Sequence, residues 1–175
     1  MFKQAFFPSL AGLLLAGAAS ALSATPGAPA LGEPLTPEVL AGIELTVLPT
    51  GEGLPAGQGS VAQGAGLYRQ HCQACHGAEG QGGINGDLVG GVGSLTTAAP
   101  KKTVTSYWPY ATIAFDYIRR AMPYTAPGSL SADEVYAIVA YLLAQDGVVA
   151  KDAVLDADGL AAVKMPNAEG FYPGE

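Results

Sequence analysis

The stretch Cys72-Gln-Ala-Cys-His76 decides how this chain folds. Cys-x-x-Cys-His is the attachment signature of a c-type haem, in which the two thiols add to the haem vinyl groups as thioethers. His76 follows the second cysteine directly and is placed to give its imidazole to the iron. The chain has 2 cysteines and no second copy of the motif. The sequence therefore predicts one covalent haem c, bound by Cys72, Cys75 and His76.

Other uses of a Cys-x-x-Cys pair fit this sequence less well. A redox disulfide calls for a βαβ context, which the downstream pattern does not offer. A closed zinc site usually draws its second ligand pair from a separate segment, whereas His71 and His76 both lie in the same short run. A structural disulfide closing so short a loop would constrain the unfolded chain very little.

The second axial ligand is expected to be a methionine. Met122 and Met165 are the methionines that follow the first 24 residues. Met122 lies between two amphipathic helical patterns, where a loop can turn its side chain inward, while Met165 lies in a polar stretch. A lone methionine is ordinarily a core residue, yet this setting favours Met122 as the ligand. His/Met ligation raises the reduction potential, which suits electron transfer.

We predict four segments along the chain. Residues 1–24 have a charged start, an apolar core and a small-residue cleavage site near Ala21 or Ala24, as in a secretory signal peptide. Residues 25–60 are rich in proline and glycine and indicate an extended arm, residues 61–147 the haem domain, and residues 148–175 a polar, acidic tail. A disordered leader and a solvated tail are the alternatives for the two flanking segments.

The signal predicts a periplasmic protein. A retained membrane anchor is the alternative, but the apolar run is short for a span of about 20 residues, and no later stretch could span a bilayer.

The net charge of −7 does not favour nucleic acid or anionic lipid as a partner. It favours a partner with a basic docking face. Four cations nevertheless gather before Met122, and we expect them to form a local positive patch: Lys101, Lys102, Arg119 and Arg120.

The haem domain is predicted to be all-α. Ser60 is a suitable N-cap for a first helix over residues 61–75. Gly64, on the face of that helix that carries Tyr68, is expected to allow close approach of another helix. The glycine-rich residues 77–100 then form a loop that wraps around a flat group.

Two further helices follow this loop. Trp108-Pro-Tyr110 opens one of them, and it ends near Ala121 because Pro123 disfavours helical geometry at the preceding residue. Ser131-Ala-Asp-Glu134 is a capping box for the last helix, which Gly147 ends.

This arrangement resembles class I cytochrome c. The shared features are Gly64, Tyr68, the haem motif, a glycine-rich loop, Met122 and a last helix with Tyr141. In that family the first and last helices cross near the haem edge, and a proline carbonyl accepts a hydrogen bond from the proximal histidine. Asn85-Gly-Asp-Leu88 occupies that place here without a proline, so the partner of His76 is left open.

A narrower resemblance covers most of the chain beyond the signal. Five stretches are similar to the cytochrome c subunit of sulfur-oxidising molybdenum dehydrogenases, namely the sulfane dehydrogenase of the Sox pathway and the periplasmic sulfite dehydrogenases. They are residues 50–57, 90–95, 102–111, 115–124 and 164–167. The run from Trp108-Pro-Tyr110 to Met122-Pro123 is far more specific than the haem motif.

The resemblance implies an electron-transfer subunit. A molybdenum-cofactor dehydrogenase subunit would oxidise sulfite or sulfane sulfur, and this chain would pass its electrons to a downstream c-type cytochrome, without substrate chemistry of its own. The resemblance also implies that the Trp108 indole donates to a haem propionate, with Tyr110 or Arg120 as helpers, ordinary aromatic packing being the alternative.

Two other functions stay open at this point. One is a free-standing periplasmic electron shuttle without a dedicated enzyme partner. The other is a haem enzyme or gas sensor with an open sixth site, which low-spin His/Met spectra would exclude.

Overall fold

A computed structural model describes residues 32–43 and 45–171. The predicted signal peptide, with its cleavage sites near Ala21 and Ala24, lies outside these residues. The chain divides into two compact units, Met1–Leu35 and Thr36–Glu175. Of the first unit only residues 32–35 are described, and they form no helix or strand.

The described part of the second unit is mostly helical. Its elements are α1 (Pro37–Ile43), β1 (Gln58–Ser60), α2 (Val61–His71), α3 (Gln73–His76), a 3-10 helix (Ser94–Thr96), α4 (Val104–Tyr107), α5 (Ala111–Ala121), α6 (Ala132–Gln145), β2 (Val154–Asp156) and α7 (Ala157–Ala161). The prediction of an all-α fold misses one feature, because β1 and β2 pair antiparallel with Gln58 opposite Asp156. Over residues 32–43 and 45–171, every helix is too short or too polar to cross a bilayer.

The fold is built around α6. Nine of its 14 residues are buried, and α2 crosses it at Gly64. A Cβ added to Gly64 would collide with the carbonyl oxygen of Ala137 and lie 2.7 Å from the Cβ of Tyr141. The close approach predicted for Gly64 is therefore confirmed. Beside it, the rings of Tyr68 and Tyr141 pack with their centroids 5.1 Å apart.

Local capping sets the start of both crossing helices. Ser60 and Ser131 each form a complete capping box, with their hydroxyls accepting from the backbone N–H of Gln63 and Glu134. The predicted first helix over residues 61–75 is divided at Cys72, whose φ of −121° and ψ of −38° interrupt the helical geometry. Two helices, α2 and α3, thus occupy this range.

The helix predicted to open at Trp108 starts later than expected. Trp108 and Tyr110 have extended backbones and Pro109 lies in a bend between them, so α5 begins at Ala111 rather than at Trp108. Its end at Ala121 agrees with the prediction from Pro123. Met122 follows with an extended backbone, φ −123° and ψ 148°.

The C-terminal segment packs against the haem domain rather than extending from it. Leu155, Leu160 and Met165 are buried in the same core as α6. The Asn167 amide donates to the carbonyl of Tyr107 over 2.7 Å. The sequence shows no periodicity here because these buried residues come from a strand, a short helix and an irregular stretch, which share no common repeat.

The arm has a different character. In α1 the side chains of Val39, Leu40 and Ile43 are exposed. Nearer the haem domain, Val47 is buried and its backbone N–H donates to Asp116 Oδ1 over 3.0 Å.

Candidate functional site

A cavity of about 740 Å³ lies among α3, α4, α5 and α6. Its walls include apolar side chains of α5 and α6, among them Ala114, Ile118, Ile138 and Leu142. This volume falls within the range of about 300–1,000 Å³ that is usual for cofactor and ligand pockets. The cavity is therefore large enough, and apolar enough, for a flat organic cofactor.

The haem motif forms one side of this cavity. Cys72, Cys75 and His76 all line it. The Nδ1 atom of His76 lies 3.0 Å from the carbonyl oxygen of Gly86. Since a carbonyl only accepts, Nδ1 carries the proton and Nε2 keeps its lone pair for a metal. Gly86 thus fills the place of the proline carbonyl that the sequence lacked.

Backbone hydrogen bonds hold the motif in this orientation. Asn85 donates to the carbonyl of Cys75 over 2.9 Å, and Gly82 donates to that of His76 over 2.9 Å. The hydroxyl of Tyr68 donates to the carbonyl of Gly77 over 3.0 Å. The first two bonds attach the loop after the motif to the C-terminal end of α3, and the third attaches that end to α2, so the imidazole is oriented by the chain itself.

The cysteines are free thiols in this structure. Burial, with a smaller contribution from Cys75, raises the pKa of Cys72 to about 11. A thiol with that pKa is protonated at neutral pH. No group of three or more potential metal ligands occurs among residues 32–43 and 45–171. Two adjacent thiols and an imidazole with a free Nε2, all facing one apolar cavity, instead fit haem c.

The two candidate methionines lie in different surroundings. Met122 lines the cavity, where the chain leaves α5. Met165 is 4% exposed, belongs to the core and is not among the lining residues. The structure thus brings Met122, and not Met165, to the cavity that His76 lines.

The predicted propionate partners are only partly brought together. Trp108 lines the cavity, and its ring lies edge-on to that of Tyr117 with centroids 6.0 Å apart. Tyr110 is exposed and Arg120 lies on an outer face of α5, so neither lines the cavity. The Nε of Arg120 lies 3.1 Å from both carboxylate oxygens of Asp116.

The expected positive patch is partly neutralised. Lys101 Nζ lies 2.5 Å from Asp87, and Arg120 pairs with Asp116. Lys102 lines the cavity instead. Sequence reasoning did not identify Lys102 as a site residue, although it begins the run 102–111 that carried the narrower resemblance.

A buried polar network shapes the wall that carries Trp108. Asp146, at the C-cap of α6, accepts from the backbone N–H of Gly90 over 2.5 Å and from the hydroxyl of Thr105. The hydroxyl of Thr103 donates to the carbonyl of Gly90 over 2.8 Å. The glycine-rich loop, α4 and the end of α6 are thereby held together.

Two comparisons with known proteins found similarities to this chain. Residues 59–142 match the family model described as cytochrome c oxidase, cbb3-type, subunit III. A chain in the crystal structure of the sulfane dehydrogenase SoxCD from Paracoccus pantotrophus is 43% identical, with a TM-score of 0.79. That similarity covers 85% of this chain and 73% of the other. No curated protein matches the chain.

Proposed function

This chain belongs to the c-type cytochromes and is similar to a chain of the sulfane dehydrogenase SoxCD, and on that premise we propose that it is a periplasmic monohaem electron-transfer subunit with a class I fold. A cytochrome c domain uses haem c and transfers electrons. In this proposal the chain accepts electrons from a molybdenum-cofactor dehydrogenase subunit that oxidises sulfite or sulfane sulfur. It then passes them to another c-type cytochrome.

The extent of the structural match is the observation that carries this proposal. The cytochrome family model covers residues 59–142, whereas the similarity to the SoxCD chain covers 85% of this chain. A match of that length cannot be contained in the haem domain and includes parts of its flanking segments. Similarity outside the haem-binding part favours a shared assembly over a shared cofactor alone.

Four side chains would hold the haem. Cys72 and Cys75 would form the thioethers, His76 would ligate through Nε2, and Met122 would ligate from the other side of the cavity. When bound, haem c supplies an iron that takes up and releases one electron. The chain's own part is to orient His76 through the Gly86 carbonyl and to surround the cavity with apolar side chains, which keep water from the iron.

The ligand assignment is tested by two methionine variants. We expect Met122→Ala to abolish the weak near-infrared sulfur-to-iron band and to lower the midpoint potential, because the thioether ligand raises that potential. Met165→Ala should leave the band and the potential unchanged, while destabilising the fold by about 2–5 kcal/mol as a buried methionine truncated in a core. A band that disappears with Met165→Ala instead would contradict the assignment of Met122.

Export is tested separately. The mature protein recovered from the periplasmic fraction should begin after Ala21 or Ala24, as read by N-terminal sequencing. A haem-loaded protein that retains residues 1–24 would contradict cleavage.

The proposed partner is tested by the salt dependence of the complex. We expect the haem-loaded chain to co-elute with the molybdenum subunit of a sulfane dehydrogenase during size-exclusion chromatography, and to remain bound at moderate salt. A dedicated interface is larger than a transient contact and depends less on exposed charges, which are screened over about 8 Å at physiological ionic strength. Dissociation at the first modest salt increment would favour the free-standing shuttle.

We expect the arm and the C-terminal segment to lie against the partner, but the C-terminal segment is not a suitable target for truncation. Removing residues 148–175 would take Leu155, Leu160 and Met165 out of the core, so lost affinity could reflect unfolding. The exposed α1 residue Leu40 gives a cleaner variant. Leu40→Asp should leave the unfolding transition unchanged, and weaker co-elution would then report on the arm alone.

A further inference from the structure

The haem cavity places one lysine beside the cofactor proposed above. Among the described lining residues, Lys102 is the single Lys or Arg side chain. Haem carries two propionate carboxylates, and a carboxylate removed from water needs a cation or hydrogen-bond donors. With Tyr110 and Arg120 away from the cavity, Lys102 is the Lys or Arg side chain among the described lining residues that can supply a full positive charge.

Neighbouring Lys101 is engaged differently. Its ammonium lies 2.5 Å from Asp87, which is the one Asp or Glu among the described lining residues. The protein's own carboxylate at the cavity is therefore already paired. Over residues 32–43 and 45–171, Lys102 has no carboxylate within ion-pair distance.

The aromatic ring of Tyr107 holds Lys102 at the cavity. The Nζ atom lies 4.8 Å from the ring centroid, within the reach of a cation–π interaction. Tyr107 lines the cavity too, and its backbone carbonyl is fixed by Asn167. Lys102 is itself exposed to solvent, so the contact with the Tyr107 ring, and not burial, keeps its ammonium beside the cavity.

We propose that Lys102 is a cofactor-binding residue whose ammonium pairs with a haem propionate and raises the midpoint potential. The inference rests on the proposed haem-binding function. A positive charge beside the haem disfavours the oxidised state, which carries one more positive charge than the reduced state. Removing the charge of Lys102 should therefore lower the potential.

The experiment compares three variants of the haem-loaded full chain. Lys102→Gln removes the charge, Lys102→Arg keeps it, and Lys151→Gln makes the same charge change at an exposed position that does not line the cavity. Haem content is measured from the pyridine haemochrome spectrum, the potential by spectroelectrochemical titration, and the propionate surroundings from the hyperfine-shifted propionate methylene protons of the oxidised protein.

The expected result is specific to Lys102→Gln. This variant should keep its haem, lower the potential and move the propionate methylene resonances, while the other two remain close to the parent. A potential and methylene resonances that move no further than in Lys151→Gln would overturn the inference. A parent protein without covalent haem would instead contradict the proposed function. If Lys102→Gln loses its haem, the Lys102→Arg variant decides instead, because it keeps the positive charge. Shifted methylene resonances together with a lowered potential in Lys102→Arg would also overturn the pairing.

Discussion

The crossing of α2 and α6 and the adjacent cavity are opposite kinds of packing within one core. At the crossing, Gly64 leaves no space for even a methyl group. On the neighbouring part of α6, Ile138 and Leu142 face a cavity of about 740 Å³. The first region is completed by the chain's own atoms, and the second by a group that the chain must acquire. Substitutions at the crossing should therefore change mainly the free energy of unfolding. Substitutions at the cavity wall should change the stability less and the properties of the haem more.

The largest effect is expected at the crossing itself. Gly64→Ala should lower the free energy of unfolding by about 3 kcal/mol or more, because the obstructing atom is the backbone carbonyl oxygen of Ala137, which cannot move aside. Denaturant unfolding followed by circular dichroism measures this change. Gly66→Ala is the matched control, since it lies in the same helix with nothing within 4 Å of its added Cβ. It should stabilise α2 by up to about 1 kcal/mol. Equal losses from both would show that the crossing is not closely packed.

A smaller loss is expected at the network behind the cavity wall. Thr105→Val keeps the shape of the side chain but removes the hydroxyl that donates to Asp146. A buried hydrogen bond to a charged group contributes about 1.5–3 kcal/mol, so unfolding should be easier by that amount. Thr97→Val, which removes an exposed hydroxyl bonded to the Ser94 carbonyl, should cost less than half as much. Comparable costs would mean that Asp146 does not depend on Thr105.

The attachment of the arm to α6 is expected to contribute less again. The Tyr136 hydroxyl donates to the carbonyl of Pro55 over 2.8 Å, and Tyr136→Phe should cost about 1 kcal/mol. Burial, followed by the negative charge of Asp156, raises the pKa of Tyr136 to about 12.

This pKa gives the Tyr136 prediction a pH dependence. The value is raised above the ordinary one of about 10, so the folded protein holds the phenolic proton more tightly than the unfolded chain does. The resulting stability is complete below pH 10 and is lost as the pH rises through about 12. Tyr136→Phe should therefore show a less steep alkaline loss in a pH series of unfolding curves, and an unchanged slope would contradict the assignment.

The smallest effect on stability, and the one most specific to the haem, is expected at Trp108. Trp108→Phe keeps an aromatic ring in the cavity wall but removes the indole N–H, which we propose donates to a propionate. The unfolding free energy should change by less than about 1 kcal/mol, whereas the midpoint potential should shift. An unchanged potential would mean that Trp108 only packs against Tyr117 and does not contact a propionate.

How much could be predicted from the sequence depended on how local the cause was. The starts of α2 and α6 follow from capping boxes at Ser60 and Ser131, and the end of α5 follows from Pro123. Each of these helix ends lies within a few residues of the sequence feature that causes it. Gly64 could be read as a crossing point because the resemblance supplied the partner helix. The motif itself carried Cys72, Cys75 and His76.

The missed features depend on contacts between distant segments. The Gly86 carbonyl reaches His76 through a loop conformation that the residue types in the loop do not predict. Lys102 faces the cavity while Lys101 turns to Asp87, although the two lysines are adjacent and chemically identical. The resemblance led us to expect Arg120 near the haem, yet Asp116 one turn earlier pairs with it on the outer face of α5. Partner choice of this kind is set by tertiary structure and leaves no periodic signal in the sequence.

The pairing of β1 with β2 has a consequence for the order of assembly. It joins the residues immediately before α2 to a segment that lies beyond α6, with Ser60 opposite Val154. Contacts between such distant parts of a chain form late, because the loop between them must close first. The haem motif comes early in the chain, but the wall at Tyr107 is fixed only when the segment around Asn167 has packed. A chain in which that segment has not yet packed would therefore present its cysteines without the finished pocket.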